Sequence, residues 1–279
     1  MNICIYHGVD LDGYCSAAIW KRVHPDGELI GMNYGDDVPW ERLEGQIVTV
    51  VDFCLQPWTD MERLHRHARE LTWIDHHKSA IQSWKDVGCP YIRGARDVTK
   101  AACELTWEFY IADRPMPRGV FLLGDYDCWR HSDPATMPFQ MGMRLWNMDP
   151  GTNPDCMQEW ELIFRDRVDF LTSITKDGRT VLRYQEQQNA KSAKAIWFPV
   201  EFDGKRWMAV NQGGINSTFW DAVWDNEFDG KLGFCRSKDH WTVSLYSDKV
   251  DCSEIAKRHG GGGHSGASGF QCQELPFEF

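Results

Sequence analysis

Four apolar runs in the first 130 residues each end in an acid or a histidine. Ile3–Tyr6 leads into His7-Gly8-Val9-Asp10-Leu11-Asp12-Gly13, Ile47–Val51 into Asp52, and Leu71–Ile74 into Asp75-His76-His77. A later run, Phe121-Leu122-Leu123-Gly124, ends in Asp125-Tyr126-Asp127. Between the runs lie stretches with helical spacing, over Ser16–Val23, Thr59–Ala68 and Thr99–Ile111. Wholly apolar strands alternating with helices specify a parallel sheet buried on both faces. In such a sheet ligands sit outside the carboxyl ends of the strands. If these runs are neighbours, at least four carboxylates and two imidazoles converge on one crevice.

A single aspartate after a strand is an ordinary helix N-cap. Four acidic endings in succession, one of them carrying a tandem histidine pair, ask for more than capping. Carboxylates within about 5 Å of one another cannot all stay ionised without a compensating positive charge. No arginine or lysine stands among these motifs at matching positions, Lys78 being the nearest. Divalent cations are the natural compensation, and mixed Asp/His donors with shared carboxylates suit two of them. An oxygen-rich donor set with some imidazole favours Mn²⁺ over Zn²⁺, with Mg²⁺ and Fe²⁺ as alternatives.

The chain changes character after about residue 155. Residues 156–195 are polar with helical spacing, bracketed by Pro154 and Pro199 and weakened at Gly178, and read as a helical linker. Beyond it come strand-like pieces at Trp197–Phe202, Trp207–Asn211, Lys231–Arg236 and Trp241–Tyr246, with Asn216–Trp224 helical among them. Asp251-Cys252-Ser253-Glu254 has the form of an N-cap with an acidic partner, opening a helix that Gly260 stops. The expected fold class is therefore α/β. A parallel-sheet catalytic domain over 1–155 is joined by the linker to a smaller α+β domain over 196–279.

Charge and cysteines narrow the partners. With 30 Lys+Arg against 41 Asp+Glu the net charge is −11, and no basic run exceeds two residues. A grip on long nucleic acid is driven by counterion release from a basic face, so a short anionic substrate fits better. The ten cysteines include no Cys-x-x-Cys pair, which fits reduced thiols rather than a disulfide framework or zinc ribbon. No apolar stretch reaches the roughly 18 residues of a membrane span, and the N-terminus lacks a signal-peptide pattern. A cytoplasmic protein without membrane association is expected.

Taken together, the motifs resemble those of the DHH phosphoesterase superfamily. His7-x-x-Asp10-x-Asp12-Gly13 is similar to its first motif, Asp52 to its second, Asp75-His76-His77 to the name-giving third, and Asp127 to the fourth. Gly260-Gly261-Gly262-Gly263-His264, with Ala267 and Gly269, resembles the glycine-histidine signature of the DHH-associated domain. The resemblance implies two metals, one held by His7 and Asp10, the other by Asp12, His76 and Asp127, with Asp52 bridging. It implies a supporting role for Asp75, orienting an imidazole, and places His77 beside the scissile phosphate as the other catalytic candidate. Asp125 is the lesser candidate of its pair, since the family pattern reads Asp-x-Trp, as in Asp127-Cys128-Trp129. Gly261, Gly262, Gly263 and His264 would bind substrate, the glycines by letting backbone N–H groups approach an anion. The sequence departs from many relatives at Tyr246, where they carry a basic residue.

Within that superfamily the glycine-histidine signature argues against inorganic pyrophosphatases. The compact length and the lack of a basic surface argue against a processive exonuclease. The expectation is a metal-dependent phosphodiesterase, of oligoribonuclease type, releasing mononucleotides from short single-stranded RNA or linear dinucleotides. The alternatives are a single-strand-specific 5′ exonuclease on DNA or longer RNA, a cyclic nucleotide phosphodiesterase, and a non-catalytic metal- or nucleotide-binding module. A homodimer is implied by resemblance alone.

Overall fold

The computed structural model describes residues 1–88, 91–215 and 217–279, with His264 described by its backbone alone. The chain divides into two compact units, Met1–Val181 and Leu182–Phe279.

The first unit opens with β1 (Asn2–His7), α1 (Leu11–Val23), β2 (Glu28–Met32) and α2 (Trp40–Leu43). It continues through β3 (Ile47–Val51), α3 (Trp58–His67), β4 (Glu70–Ile74) and α4 (Lys78–Asp86). The four strands form one parallel sheet in the order β2-β1-β3-β4. Side chains alternate across the pleat. Ile3, Ile5, Val48 and Val50 pack with Met61 and Leu64 of α3 and Ile81 of α4 on one face. Cys4, Tyr6 and Val51 face Ala17 and Trp20 of α1 on the other. Both faces are covered, which is why β1 and β3 read as continuous apolar runs. Trp20 donates its indole N–H to Thr49 Oγ1 at 3.1 Å, pairing the polar atoms that these packed layers bury.

The sheet has a strand that the apolar runs do not announce. Glu28–Met32 is an edge strand, only partly buried and interrupted by Gly31, so it lacks the apolar run that marks its neighbours. The reverse holds for residues 120–124, where the acidic ending follows a helix rather than a strand. After α5 (Ala102–Tyr110), residues 118–127 form α6 (Arg118–Asp127), whose Val120, Leu122 and Leu123 are buried among helices. A short apolar run bounded by turns does not by itself separate a buried strand from a buried helix. Asp127 is thus the last residue of a helix.

The unit closes with α7 (Thr136–Met143), α8 (Met157–Phe164) and the first half of α9 (Val168–Ile196). The segment read as a linker is therefore a short 3₁₀ turn at Pro154–Cys156 followed by two helices. Trp160, Ile163, Phe164, Leu171 and Ile174 from it are buried in the core beneath α1 and α6. Gly178 is where α9 meets α7: a Cβ there would lie 1.7 Å from the carbonyl oxygen of Pro138.

The second unit takes the rest of α9 and a six-stranded sheet in the order β5-β6-β7-β8-β10-β9. Its strands are β5 (Phe198–Phe202), β6 (Lys205–Asn211), β7 (Gly230–Ser237), β8 (His240–Tyr246), β9 (Gly262–His264) and β10 (Ala267–Cys272). Only β6 and β7 pair in parallel. α10 (Cys252–Arg258) packs Ile255 and Ala256 against one face, and Asp251 caps it by accepting from the N–H groups of Ser253 and Glu254. Trp220, Phe219 and Phe228 cover the other face with Ala193. The helix expected over 216–224 is a 3₁₀ turn, Ser217–Trp220, and Asn216 lies outside the described residues. The nine described cysteines are free thiols, and Cys89 lies outside the described residues. No helix among the described residues is long and apolar enough to cross a membrane.

The two effects at Gly178 predict opposite signs. Helix propensity alone makes Gly→Ala stabilising by about 1 kcal/mol in mid-helix, whereas backbone overlap of this depth forces α9 off α7. Gly178→Ala is expected to lower stability by at least about 2 kcal/mol in urea unfolding. A neutral or stabilising result would show that the two helices part without cost.

Candidate metal centre

The parallel register puts the carboxyl ends of β1, β3 and β4 side by side, and the acidic endings meet there. β1 ends at His7. Asp10 then caps α1, accepting the Gly13 N–H at 3.0 Å. Gly13 permits this tight entry, because a Cβ there would lie 2.0 Å from the His7 carbonyl oxygen. Asp12, in the first turn of the helix, is buried and accepts the N–H groups of Ala102 and Cys103 at 2.9 and 2.8 Å, holding the start of α5. Asp52 leaves β3 in the left-handed region at φ 52°, a conformation aspartate tolerates, and is almost fully buried.

Two groups of donor atoms result. His76 Nε2 lies 3.3 Å from Asp52 Oδ1, 3.3 Å from Asp127 Oδ2 and 3.6 Å from Asp12 Oδ2. His7 Nδ1 lies 2.9 Å from Asp10 Oδ2 and 3.7 Å from Asp52 Oδ2. Asp52 is common to both. His7 Nδ1 and Asp52 Oδ1 are nevertheless buried without a hydrogen-bond partner, an arrangement that costs free energy unless something else binds them. Donors sharing one octahedral ion with bonds of about 2.1 Å stand about 3 Å apart along an edge. His7, Asp10 and Asp52 form one donor group that could hold a metal ion, and Asp52, His76 and His77 form another, with Asp12 and Asp127 beside His76.

Charge in the cluster is strained. Burial first, and then the neighbouring charge of Asp52, pushes the Asp12 carboxyl up to about 7. Burial and Asp12 push Asp127 up to about 7 as well, and burial raises Asp52 despite contacts from His7 and His76. Burial works against protonated imidazoles, yet Asp10 and Asp52 lift His7 to about 10, and Asp52 with its neighbours lifts His76 to about 12. Protons thus stand where positive charge is needed. A bound cation replaces them and reverses the preference of the acids.

Asp75 is fully buried and acts on backbone and imidazole together. Its Oδ1 accepts the N–H groups of His76 and His77 at 2.7 and 3.0 Å and pairs with His77 Nδ1 at 2.7 Å. The imidazole it orients is that of His77, outside the metal set that the resemblance implies, while it reaches His76 through the main chain. His77 Nδ1 lies 3.9 Å from Asp52 Oδ1, so this residue borders the donor cluster directly. Cys128 is a site residue that the sequence does not single out. Its Sγ lies 4.0 Å from His76 Nδ1, close enough to join His76 and Asp127 in a third potential donor group. Its only sequence signal is adjacency to Asp127.

Asp125 does something else. It is fully buried and accepts hydrogen bonds from Ser132 N–H and Oγ, Asp133 N–H and Thr136 Oγ1. These bonds tie down the loop after α6, where Trp129 and His131 hold positive φ. Tyr34, from the turn after β2, reaches the centre from outside the motifs, its ring 5.8 Å from that of His7 and 4.9 Å from Phe53.

The glycine segment of the second unit is an ordered edge. Gly260 and Gly261 donate their N–H groups to Lys257 and Ala256, closing α10. A Cβ at Gly261 would lie 2.1 Å from the Gly269 carbonyl oxygen, so this glycine serves close packing. Gly262, Gly263 and His264 form the outermost strand of the sheet. The side chain of His264 lies outside the described residues. A cavity of about 540 Å³ is lined by Thr242, Ser244, Gly260, Gly261, Gly269 and Gln271. Tyr246, the departure from the family pattern, donates its hydroxyl to the Ile215 carbonyl at 2.9 Å.

No family model matches the chain. Along its whole length it is 23% identical, over an alignment of 317 positions, to an uncharacterised protein of Acanthamoeba polyphaga mimivirus, 70% of which is covered. Among solved structures it is similar to the pGpG-specific phosphodiesterase PggH from Vibrio cholerae, at TM-score 0.58 and 11% identity over 98% of this chain and 93% of that one. RecJ from Thermus thermophilus, solved with Mn²⁺, aligns at TM-score 0.49 and 14% identity, over 97% of this chain and 49% of its own. At these identities the likeness to PggH is one of fold.

Two measurements follow from this geometry. Asp125 is held at about 2 because its hydrogen bonds outweigh the upward push of burial. A carboxyl depressed in the fold stabilises it above its unfolded value and loses that contribution as pH falls through the folded one. Stability on the order of 2 kcal/mol is therefore expected to disappear between about pH 4 and pH 2 in the wild type, and Asp125→Asn should flatten that slope in urea titrations. For the cluster, Mn²⁺ binding by calorimetry should strengthen at least tenfold from pH 6 to 7.5, because Asp12 and Asp127 shed protons in that range. Repeating the titration in buffers of different ionisation enthalpy should reveal proton release, and Asp52→Asn should weaken both sites. Affinity independent of pH, or unchanged by Asp52→Asn, would exclude this cluster as the metal site.

Proposed function

We propose that this chain, which has the fold of the DHH phosphoesterase superfamily, is a metal-dependent phosphodiesterase that cleaves short oligonucleotides or linear dinucleotides to mononucleotides. The observation that carries the reading is the pair of donor groups sharing Asp52, with His7 and Asp10 on one side and Asp12, His76 and Asp127 on the other. The metals intended are two divalent cations, Mn²⁺ by donor chemistry. When bound, they supply charge neutralisation at phosphate and a water acidic enough to ionise near neutral pH.

The chain's own residues do the positioning. Asp12 fixes the start of α5 while keeping an oxygen toward His76. Asp75 holds His77 through Nδ1, which leaves Nε2 for the substrate. Burial favours neutral His77, but Asp75 outweighs it and raises the imidazole's affinity for its proton. His77 can thus donate from Nε2 to a phosphoryl oxygen or to the departing ribose oxygen. The preference for short substrates is supported by the net charge of −11 and by the lack of any basic run to track a long strand. The fold shared with PggH, whose own substrate is pGpG, agrees with a dinucleotide.

The test is mononucleotide release from 5′-phosphorylated RNA of two to about 20 nucleotides, with Mn²⁺ and with EDTA. Turnover confined to the shortest substrates and abolished by EDTA is expected. Activity that holds or rises with length would make the protein an exonuclease, and cleavage of cyclic dinucleotides alone would make it a cyclic nucleotide phosphodiesterase. Asp52→Ala should lower kcat about a thousandfold or more, and His77→Ala about 10²- to 10⁴-fold with Mn²⁺ affinity retained. Full activity in Asp52→Ala would remove the two-metal proposal.

A further inference from the structure

Tyr34 stands beside the proposed metal centre without belonging to any of the motifs that build it. The turn that carries it is tightly specified. Asn33 N–H donates to Asp36 Oδ2 at 2.7 Å, Tyr34 N–H to Asn33 Oδ1 at 2.8 Å, and Asp36 N–H to the Asn33 carbonyl at 3.1 Å. Gly35 supplies the left-handed step at φ 95° that closes it. The ring is thereby set against His7, tilted by 53° at 5.8 Å, and against Phe53 at 4.9 Å. Phe53 is buried beneath at 2% exposure, whereas Tyr34 remains 40% exposed, and its hydroxyl has no hydrogen-bond partner among the described residues. An exposed ring face beside a metal-site histidine is a surface on which a flat group can stack.

The same turn borders a cavity of about 280 Å³ at the carboxyl ends of β1 and β2. Tyr6, Gly8, Val9, Asn33, Asp36 and Asp149 line it, and Gly8 and Val9 are the residues between His7 and Asp10. No lysine or arginine is among its lining residues, so it does not suit phosphate. An open aromatic ring against a metal-site histidine matches a flat heterocycle.

We infer that Tyr34 is a substrate-binding residue on which the nucleobase next to the scissile phosphate stacks, with the edge of that nucleoside toward the cavity between the 33–36 turn and Asp149. The inference rests on the proposed phosphodiesterase reading and adds a determinant that the metal motifs do not contain. Stacking of a base on an aromatic side chain is worth about 1–3 kcal/mol, or roughly 5- to 150-fold in affinity.

The experiment compares wild type, Tyr34→Phe and Tyr34→Ala on pGpG and on its two analogues with one guanine removed. Binding is measured in Ca²⁺ and turnover in Mn²⁺, and Mn²⁺ affinity is recorded for each protein. Tyr34→Ala should weaken pGpG binding at least tenfold, lose nothing further on one of the two abasic analogues, and bind Mn²⁺ as wild type does. Tyr34→Phe should stay within about threefold of wild type. Equal losses on both abasic analogues, or weakened Mn²⁺ binding, would mean that Tyr34 only supports His7 and would overturn the inference. So would an unchanged Tyr34→Ala. Wild type that binds pGpG without cleaving it would refute the catalytic reading while leaving the stacking ratio to decide Tyr34. Wild type that does not bind pGpG at all would refute both.

Discussion

Everything at the head of the parallel sheet answers to one constraint, the crowding of aspartates with only imidazoles to balance them. Asp12, Asp52 and Asp127 surround His76 Nε2, and Asp10 and Asp52 flank His7. Burial and mutual repulsion lift Asp12 and Asp127 toward neutral pH, while the histidines hold their protons tightly. Such a cluster is costly to a fold that gains nothing from it. Its buried His7 Nδ1 and Asp52 Oδ1, close to Asp10 and His76 but making no aligned hydrogen bond, are atoms that a cation would satisfy.

Capping and site-building are not rival explanations for these acids. Asp10 caps α1, Asp12 grips the first N–H groups of α5, and Asp75 gathers the backbone of His76 and His77. Each carboxylate spends part of its hydrogen-bonding capacity on a helix start or turn, which fixes its position to within a narrow range. The remaining capacity faces the cluster. Asp125 marks the contrast: its oxygens go to the loop at 132–136 and to Arg130, which explains why two acids only two residues apart take different parts.

How far the sequence could be read depended on how local the signal was. β1, β3 and β4 show as mostly apolar runs because a sheet buried on both faces admits few polar side chains, Thr49 being held by the Trp20 indole. β2 at the sheet edge did not show, and Tyr34, carried by the turn after it, was lost with it. The apolar run at 120–124 does not by itself tell a buried strand from the buried part of a helix, and it is the latter. Gly178 read as a weak point in a helix, yet it is the contact that lets α9 lie against α7. Cys128 needed the distance to His76, which no spacing along the chain contains.

The sequence by itself determined the alternation of strands and helices, the acids at the strand ends, and the order of motifs that resembles the DHH superfamily. These are read from neighbours in the chain, where burial and backbone geometry repeat with a short period. Tertiary structure decided which carboxylate oxygen meets which imidazole nitrogen, that Asp75 turns toward His77, and that Asp125 turns away. It also brought Tyr34 to His7 from the far side of a strand crossover. The pairings around His76 and between Tyr34 and His7 join residues tens of positions apart, and the register of the parallel sheet, together with the packing of α5 and α6, sets their distances.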